Sequence, residues 1–396
     1  MSAADPRVSG LSIGPRSSID AFFGLPDRPE WFTPSHERVL SASGGLLAAP
    51  GPRALEQSTA ELIGAEFYGA VRAKRSGLRF DLWATELTGH AVDRMLAAAR
   101  RGDDSWQGPW RLLRGLASIG SYGLGAFASQ QASEAARNLP LNRLAAQPAW
   151  LDLLPDIQAI GDVWGMQDAY GTRFGVIAGF CYPGGIDPSA YLFDIDACGT
   201  IGLTGAGVFD DVEQAAAAWR EQGGLSAEGV VPVPATAGSL TCLAYCEHAE
   251  QILSGKESRA AMDNWFRGPR RLRDVADALR GQGADLPKIR PLYRDIDFAP
   301  MAAAFTNWYT ERHGHIPSRD AVESLAEEWL EGMLPGTEHA VSPHRSQFYR
   351  ALIGDWRDDP VTDAALAVLP EWVRWNGDQA GLPAHLIENA VAAASA

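Results

Sequence analysis

Residues 160–222 read IGDVWGMQDAYGTRFGVIAGFCYPGGIDPSAYLFDIDACGTIGLTGAGVFDDVEQAAAAWREQ, and across them the helical spacing of the surrounding chain gives way to strands. Asp162–Gln167 and Arg173–Tyr182 mix aromatic and β-branched residues with small ones, and they flank Ala169-Tyr170-Gly171-Thr172. A glycine between such runs supplies the positive φ that a tight turn needs. The pattern repeats with Tyr191–Asp196, the turn Ala197-Cys198-Gly199-Thr200, and Ile201–Phe209. Side chains alternate along a strand, so Tyr191, Phe193 and Ile195 fall on one face and Leu192, Asp194 and Asp196 on the other. Pro183-Gly184-Gly185 and Asp187-Pro188 separate the hairpins. Asp210 stands three residues before Glu213, the spacing of a capping box, and Ala215–Trp219 continue as helix until Gly223-Gly224 stop it. The unit reads as an antiparallel β-β-β-β-α meander whose aspartates face water.

The flanks read as helix. Residues 1–36, rich in Pro, Gly and Ser with scattered aromatics, read as an arm packed onto the body. Residues 37–145 form a helical domain. In it, Ser58 and Glu61 have capping-box spacing ahead of Leu62, Ile63, Phe67, Ala70 and Val71. Further helices run from about Leu82 to Met95 and from Trp110 to Ile119. The mixed domain takes residues 146–235 and closes on a Pro232-Val233-Pro234 linker. In the C-terminal helical domain, 236–396, Ser318 caps a helix carrying Val322, Leu325, Ala326, Trp329, Leu330 and Met333 at helical spacing. Two more helices follow, broken at Gly381-Leu382-Pro383. The fold class is mainly α with a central α+β unit: two helical lobes joined by the β-β-β-β-α domain.

A formal charge of −15 sets the mean field against nucleic acid and anionic membranes, because it repels phosphate. No apolar run is long enough to span a bilayer and no signal-peptide core is present. Four cysteines without a small-domain framework point to a reduced, cytoplasmic protein. Abundant Ala, Arg and Gly with few Lys suggest a GC-rich bacterial source. Thirteen tryptophans imply large buried or half-buried surfaces.

YLFDIDACGTIGL (191–203), AAAAWRE (215–221) and LPEWVRWNGDQAGLPAHL (369–386) resemble a group of uncharacterised actinobacterial proteins. That resemblance implies a helical N-terminal part, a small β-meander with an Asp-containing strand end, and a Trp-bearing C-terminal helix, in this order. The related strand often ends in Asp-His-Asn, where this chain has Asp196-Ala197-Cys198. The group implies architecture and no activity.

Three constellations carry candidate chemistry. Asp194 and Asp196, with Asp210 and Asp211 at the next helix start, offer a convergent acidic site for acid–base work or a divalent cation. The competing reading has the strand pair facing water and Asp210 capping the helix. Cys242 and Cys246 lie one helical turn apart, with His248 beside them and His313 and His315 in a later loop, a donor set that suits zinc. Small core cysteines are the plainer account. Arg267, Arg270, Arg271, Arg273, Arg280, Lys288, Arg290 and Arg294, interleaved with Trp265, Phe266 and Tyr293, offer a strand-binding surface for nucleic acid. A solvated helix face partly offset by Asp274, Asp277 and Asp285 is the plainer account, and pairing with the acidic Glu323–Glu331 helix of the same chain or of a second copy is a further one. Cys198 lacks a nearby histidine in sequence, and the Gly202-Leu-Thr-Gly-Ala-Gly207 run lacks a phosphate-binding lysine. Each cluster has a structural explanation, so the sequence favours a protein-interaction or regulatory protein with a protein partner or a second copy of itself. An acidic-site enzyme and a single-strand nucleic-acid binder remain as alternatives.

Overall fold

The computed structural model describes residues 28–396 except 140–142, 145, 199, 200, 249, 250, 252, 254, 256, 285, 287–296, 332, 335 and 357–359. Most of the N-terminal arm, the Gly199-Thr200 turn, and Lys288, Arg290, Tyr293 and Arg294 therefore lie outside the described residues.

The centre is an antiparallel sheet of β1 (Gln158–Gln167), β2 (Arg173–Tyr182), β3 (Ile186–Asp196), β4 (Gly202–Phe209) and β5 (Val233–Pro234), ordered β4-β3-β2-β1-β5. The first four strands make the meander that the residue types predict. In the β1–β2 turn Gly171 takes φ +73°, and the Asp168 carboxylate accepts from the Thr172 and Arg173 amides at 3.0 and 3.1 Å. Two boundaries differ from expectation. Asp187 and Pro188 do not separate hairpins but belong to β3, where Asp187 sits at φ +49°. Val233-Pro234 is not a free linker; it pairs with Trp164 and Gly165 of β1 as an edge strand, a place where proline is tolerated.

The side chains alternate as expected, but helices cover both faces of the sheet. Phe174, Val176, Tyr191, Phe193 and Ile195 pack against α7 (Ala237–His248) and α9 (Arg267–Gly281). On the other face Met166, Ile177 and Leu192 lie under α6 (Val212–Gly223), whose Trp219 is fully buried among them. Asp194 is consequently 5% exposed rather than solvated. The cap of α6 is Asp211, which accepts from the Gln214 amide at 2.8 Å, and not Asp210.

The N-terminal lobe packs α1 (Phe32–Ala42), α2 (Pro52–Arg72), α3 (Phe80–Arg100), α4 (Gln107–Ile119) and α5 (Tyr122–Ala136) around Phe67, Trp83, Leu87, Leu113 and Leu116. α2 begins at Pro52, whose missing amide suits a first turn, so Ser58 lies inside the helix instead of capping it. The short α8 (Arg259–Asp263) crosses α2 at Gly64, where an added Cβ would stand 2.5 Å from the Asp263 Cα. The C-terminal lobe comprises α10 (Ala299–His313), α11 (Arg319–Leu330), α12 (Pro343–Gly354), α13 (Pro360–Gln379) and α14 (Ala384–Ser395) around Trp329, Leu369 and Trp372. Ser318 caps α11 as expected.

The sheet spans between the lobes. At its β2–β3 end Tyr182 enters the N-terminal core. Near the β1–β2 turn the Tyr170 hydroxyl donates to the Leu386 carbonyl at 3.3 Å in the C-terminal lobe. Ten-residue strands place those ends about 30 Å apart. Trp83, Trp106, Trp219, Trp329 and Trp372 are all sealed in cores, Trp219 in that of the sheet and the others in those of the lobes, so these five do not form an exposed docking surface. Among the described residues no helix is long and apolar enough to cross a membrane.

Candidate functional site

A cleft of about 960 Å³ opens where the start of α2, the edge strand β4 and α8 meet. Its floor follows from the sequence. Gly205 and Gly207 register against Asp194 and Leu192, and a Cβ on Gly205 would reach the Asp194 Cβ at 3.7 Å. Glycine at these positions leaves the space above β3 open. Thr204 is the extra residue at the irregularity between Asp194 and Ile195, and its hydroxyl bonds back to Asp194 Oδ2 at 3.0 Å.

Asp194, a candidate base by sequence, lines this cleft but is fully engaged. Arg173 grips both oxygens, Nε to Oδ1 at 2.7 Å and Nη2 to Oδ2 at 2.8 Å, and the Trp219 indole donates to Oδ1 at 3.0 Å. With Thr204 this makes four donors on one carboxylate, which ties β2, β3, β4 and α6 together. A base needs a free lone pair aimed at substrate; here the lone pairs are spent on structure. Asp210 pairs with Arg53 at 2.9 Å and Asp211 caps α6, so the four aspartates serve separate local partners.

Asp196 has a partner that the sequence hides. His344, near the start of α12, places Nδ1 3.0 Å from Asp196 Oδ2, while Asp196 Oδ1 accepts from the Cys198 amide at 2.8 Å. Burial is the largest single influence and favours the protonated acid, but the hydrogen bonds from His344 and Cys198 and the His344 charge together outweigh it and hold the Asp196 carboxyl below its usual range. The same bond raises the His344 imidazole above its ordinary value. Asp196, Cys198 and His344 bring potential ligand atoms within 4.8 Å of one another. Cys198 is nevertheless a buried thiol, not the exposed one its turn position suggests. Burial and the adjacent Asp196 charge push its pKa up, and its sulfur lies 3.3 Å from the Ser342 hydroxyl.

Among the described residues the proposed zinc donors do not come together. Cys242 and Cys246 point into the sheet core as small apolar side chains, and burial drives the Cys242 thiol up to about 12. His313 and His315 pack around Tyr309 in the C-terminal lobe, with His313 3.5 Å from Glu371. The His248 side chain lies outside the described residues.

The arginine stretch is largely neutralised within the fold. Arg270 pairs with Asp274 at 3.1 Å, and Arg273 with Glu247 at 3.7 Å. Arg280 pairs with Glu247 and Asp277. Arg271 is entirely buried, with Nη2 on Glu56 Oε1 at 2.6 Å and Nη1 on Asp274 Oδ2 at 2.8 Å. Arg280 and Asp277 are exposed and Asp274 and Asp277 offset the arginines, as the solvated-face reading expects, whereas Arg267 and Arg271 are buried; among the described residues no ion pair joins them to the Glu323–Glu331 helix of the same chain. Guanidinium groups already paired or sealed have little left for a nucleic-acid backbone.

Arg267 is the exception. It is 2% exposed, lines the cleft, and gives Nε and Nη2 to one neutral acceptor, Asn264 Oδ1, at 2.9 and 2.7 Å. Its guanidinium carbon stands 5.7 Å from the Tyr191 ring centre. Among the described residues it forms no ion pair, although it sits one turn from the doubly paired Arg271. The Asp263 carboxylate acts on it through space without a direct ion pair, and a buried charge compensated only in that way is expensive. Arg53 also lines the cleft and, among the described residues, its ion pair is with the exposed Asp210. Sequence reading singled out Arg267 within the arginine stretch and missed Arg53 and Asn264, since only the fold brings them to one cavity.

Comparison with protein-family models, curated proteins and solved structures found no match for this chain.

Proposed function

We propose that the protein is a non-catalytic regulatory or sensing protein whose cleft binds a small anionic ligand bearing a carboxylate or phosphate. The observation carrying this reading is Arg267: a buried guanidinium, lining a cavity, with only a neutral hydrogen-bond partner. An anion entering the cleft supplies the missing counter-charge, and an arginine fork matches both oxyanion classes. The absence of catalysis is supported by the saturation of Asp194, the acid placed best to act on such a ligand. A cleft formed jointly by the sheet and the N-terminal lobe suits ligand-dependent adjustment between them. Binding would then alter how the protein meets a partner protein or a second copy of itself. Four free thiols support a reducing, cytoplasmic setting, and the sequence resemblance supports an actinobacterial one.

The test is a thermal-shift panel of inorganic phosphate, pyrophosphate, succinate, citrate and AMP, run on the full chain and on Arg267→Met. A ligand at one hundred times its Kd stabilises by about 2.7 kcal/mol. At least one anion should stabilise the parent and lose that effect in the variant. Identical responses of the two proteins across the panel would remove the basis for the reading.

A further inference from the structure

We propose that His36, Glu86 and His90 form a binding site for one divalent transition-metal ion of the zinc class, apart from the cleft. Glu86 and His90 lie four residues apart on α3, a spacing that brings both side chains to one helical face, and α1 lays His36 against them. One nitrogen from each imidazole and one carboxylate oxygen fall within 4.8 Å of one another. Ligand bonds of about 2.1 Å to a tetrahedral ion need donor atoms about 3.4 Å apart, so small side-chain rotations close the set.

His36 supplies the independent indication. The side chain is 1% exposed, and Nε2 lies 2.9 Å from the Trp83 carbonyl oxygen. A carbonyl only accepts, so Nε2 carries the proton and Nδ1 keeps its lone pair. Nδ1 is sealed from solvent and has no hydrogen-bond partner. An unfilled buried acceptor is destabilising, and a metal–nitrogen bond removes that cost. A backbone carbonyl that fixes the tautomer and aims the opposite nitrogen is the usual support for a metal-bound histidine.

The neighbourhood is consistent with the site. Arg28 donates to Glu86 Oε2 at 2.6 Å, while the carboxylate retains further lone pairs for an ion. His90 is exposed and provides the entry path. Three protein ligands leave a fourth position for water. Two imidazoles with one carboxylate favour zinc-class ions over calcium or magnesium, which prefer oxygen donors.

The test uses the full chain, stripped with chelator and titrated with Zn²⁺ by calorimetry and with Co²⁺ by its visible absorption. One ion per chain should bind, with imidazole-nitrogen ligation seen in the Co²⁺ spectrum. His90→Ala and Glu86→Gln, both at positions that are not buried, should each weaken Zn²⁺ by at least about tenfold, while His315→Ala leaves it unchanged. Circular dichroism confirms that the variants fold. If either variant unfolds, Zn²⁺ protection of the exposed His90 from diethyl pyrocarbonate in the parent chain replaces that arm. Absence of stoichiometric binding, tenfold-insensitive variants, or unprotected His90 overturns the proposal.

Discussion

The Glu56–Arg271 pair gives the sharpest test of what holds the N-terminal lobe to the sheet. The side chains are 2% and 0% exposed, and α2 and α9 meet through them. Ser118 on α4 donates to the same Glu56 oxygen, and Arg271 Nη2 lies 3.2 Å from the Ser118 hydroxyl. Breaking a buried pair by removing one member costs about 3–5 kcal/mol, because the survivor remains desolvated. The two single variants should fall at different ends of that range. Glu56→Met leaves Arg271 with Asp274 at 2.8 Å, whose side chain is 19% exposed, so the loss should be about 3 kcal/mol. Arg271→Met leaves Glu56 with a hydroxyl and no counter-charge, so the loss should be about 4–5 kcal/mol. Replacing both by methionine removes both charges and should cost about 2 kcal/mol or less.

Urea unfolding followed by tryptophan fluorescence and circular dichroism together measures all four proteins, and coincident transitions license the two-state treatment. If the single losses add in the double variant, at about 7 kcal/mol or more, the two groups act independently and the account of this junction is wrong.

Three further outcomes follow from the geometry. Asp194→Asn should destabilise by about 2–4 kcal/mol in urea, since an amide sets two donors against the Arg173 fork and gives up one acceptor oxygen; a loss below about 0.5 kcal/mol would remove Asp194 as the tie of the sheet. Gly64→Val forces a side chain into the Asp263 backbone and should cost about 1–3 kcal/mol while raising protease cleavage around α8; an unchanged melt would mean that the α2–α8 contact is dispensable. His344 has its pKa raised in the folded chain, so the stabilisation from Asp196 is complete below about pH 6.5 and fades as pH rises through the folded value. Its side chain is 69% exposed, so screening holds the effect below about 1 kcal/mol; the melting difference between the parent and His344→Gln should shrink from pH 5.5 to 8.5, and a constant difference counts against the pair.

Much of the fold was legible because its signals are local. Gly171 and Gly184-Gly185 occur where the chain needs positive φ, and alternation in Tyr191–Ile195 assigns the α7/α9 face correctly. The solvent assignment of Asp194 failed for a non-local reason. Alternation says that Leu192 and Asp194 share a face, but nothing within the strand tells whether water or α6 covers it. The β1–β5 pairing was hidden similarly, because a two-residue edge strand has no periodicity to read. Site geometry was hidden further still. His344 meets Asp196 across 148 positions of chain, and Arg271 meets Glu56 across 215, distances over which spacing carries no information.

Arg267 and Arg271 make the point chemically, because helical spacing treats them as equivalent. They lie four apart on α9, yet Arg271 meets the Glu56 carboxylate whereas Arg267 meets the Asn264 amide. That contrast is one functional group wide and can be erased. Asn264→Asp places a carboxylate where Oδ1 now accepts from Arg267 at 2.7 and 2.9 Å. It converts a neutral acceptor into a charged one, whose bonds to a guanidinium are roughly twice as strong. If Arg267 is held unpaired for an anionic ligand, the substitution fills its need internally. The variant should melt at or above the parent temperature and lose the anion-induced stabilisation. A purely structural Arg267 predicts the first result without the second. A variant that is stabilised and still responds to the same anion would show that the ligand's charge is met elsewhere, and Arg267 would then be a packing residue.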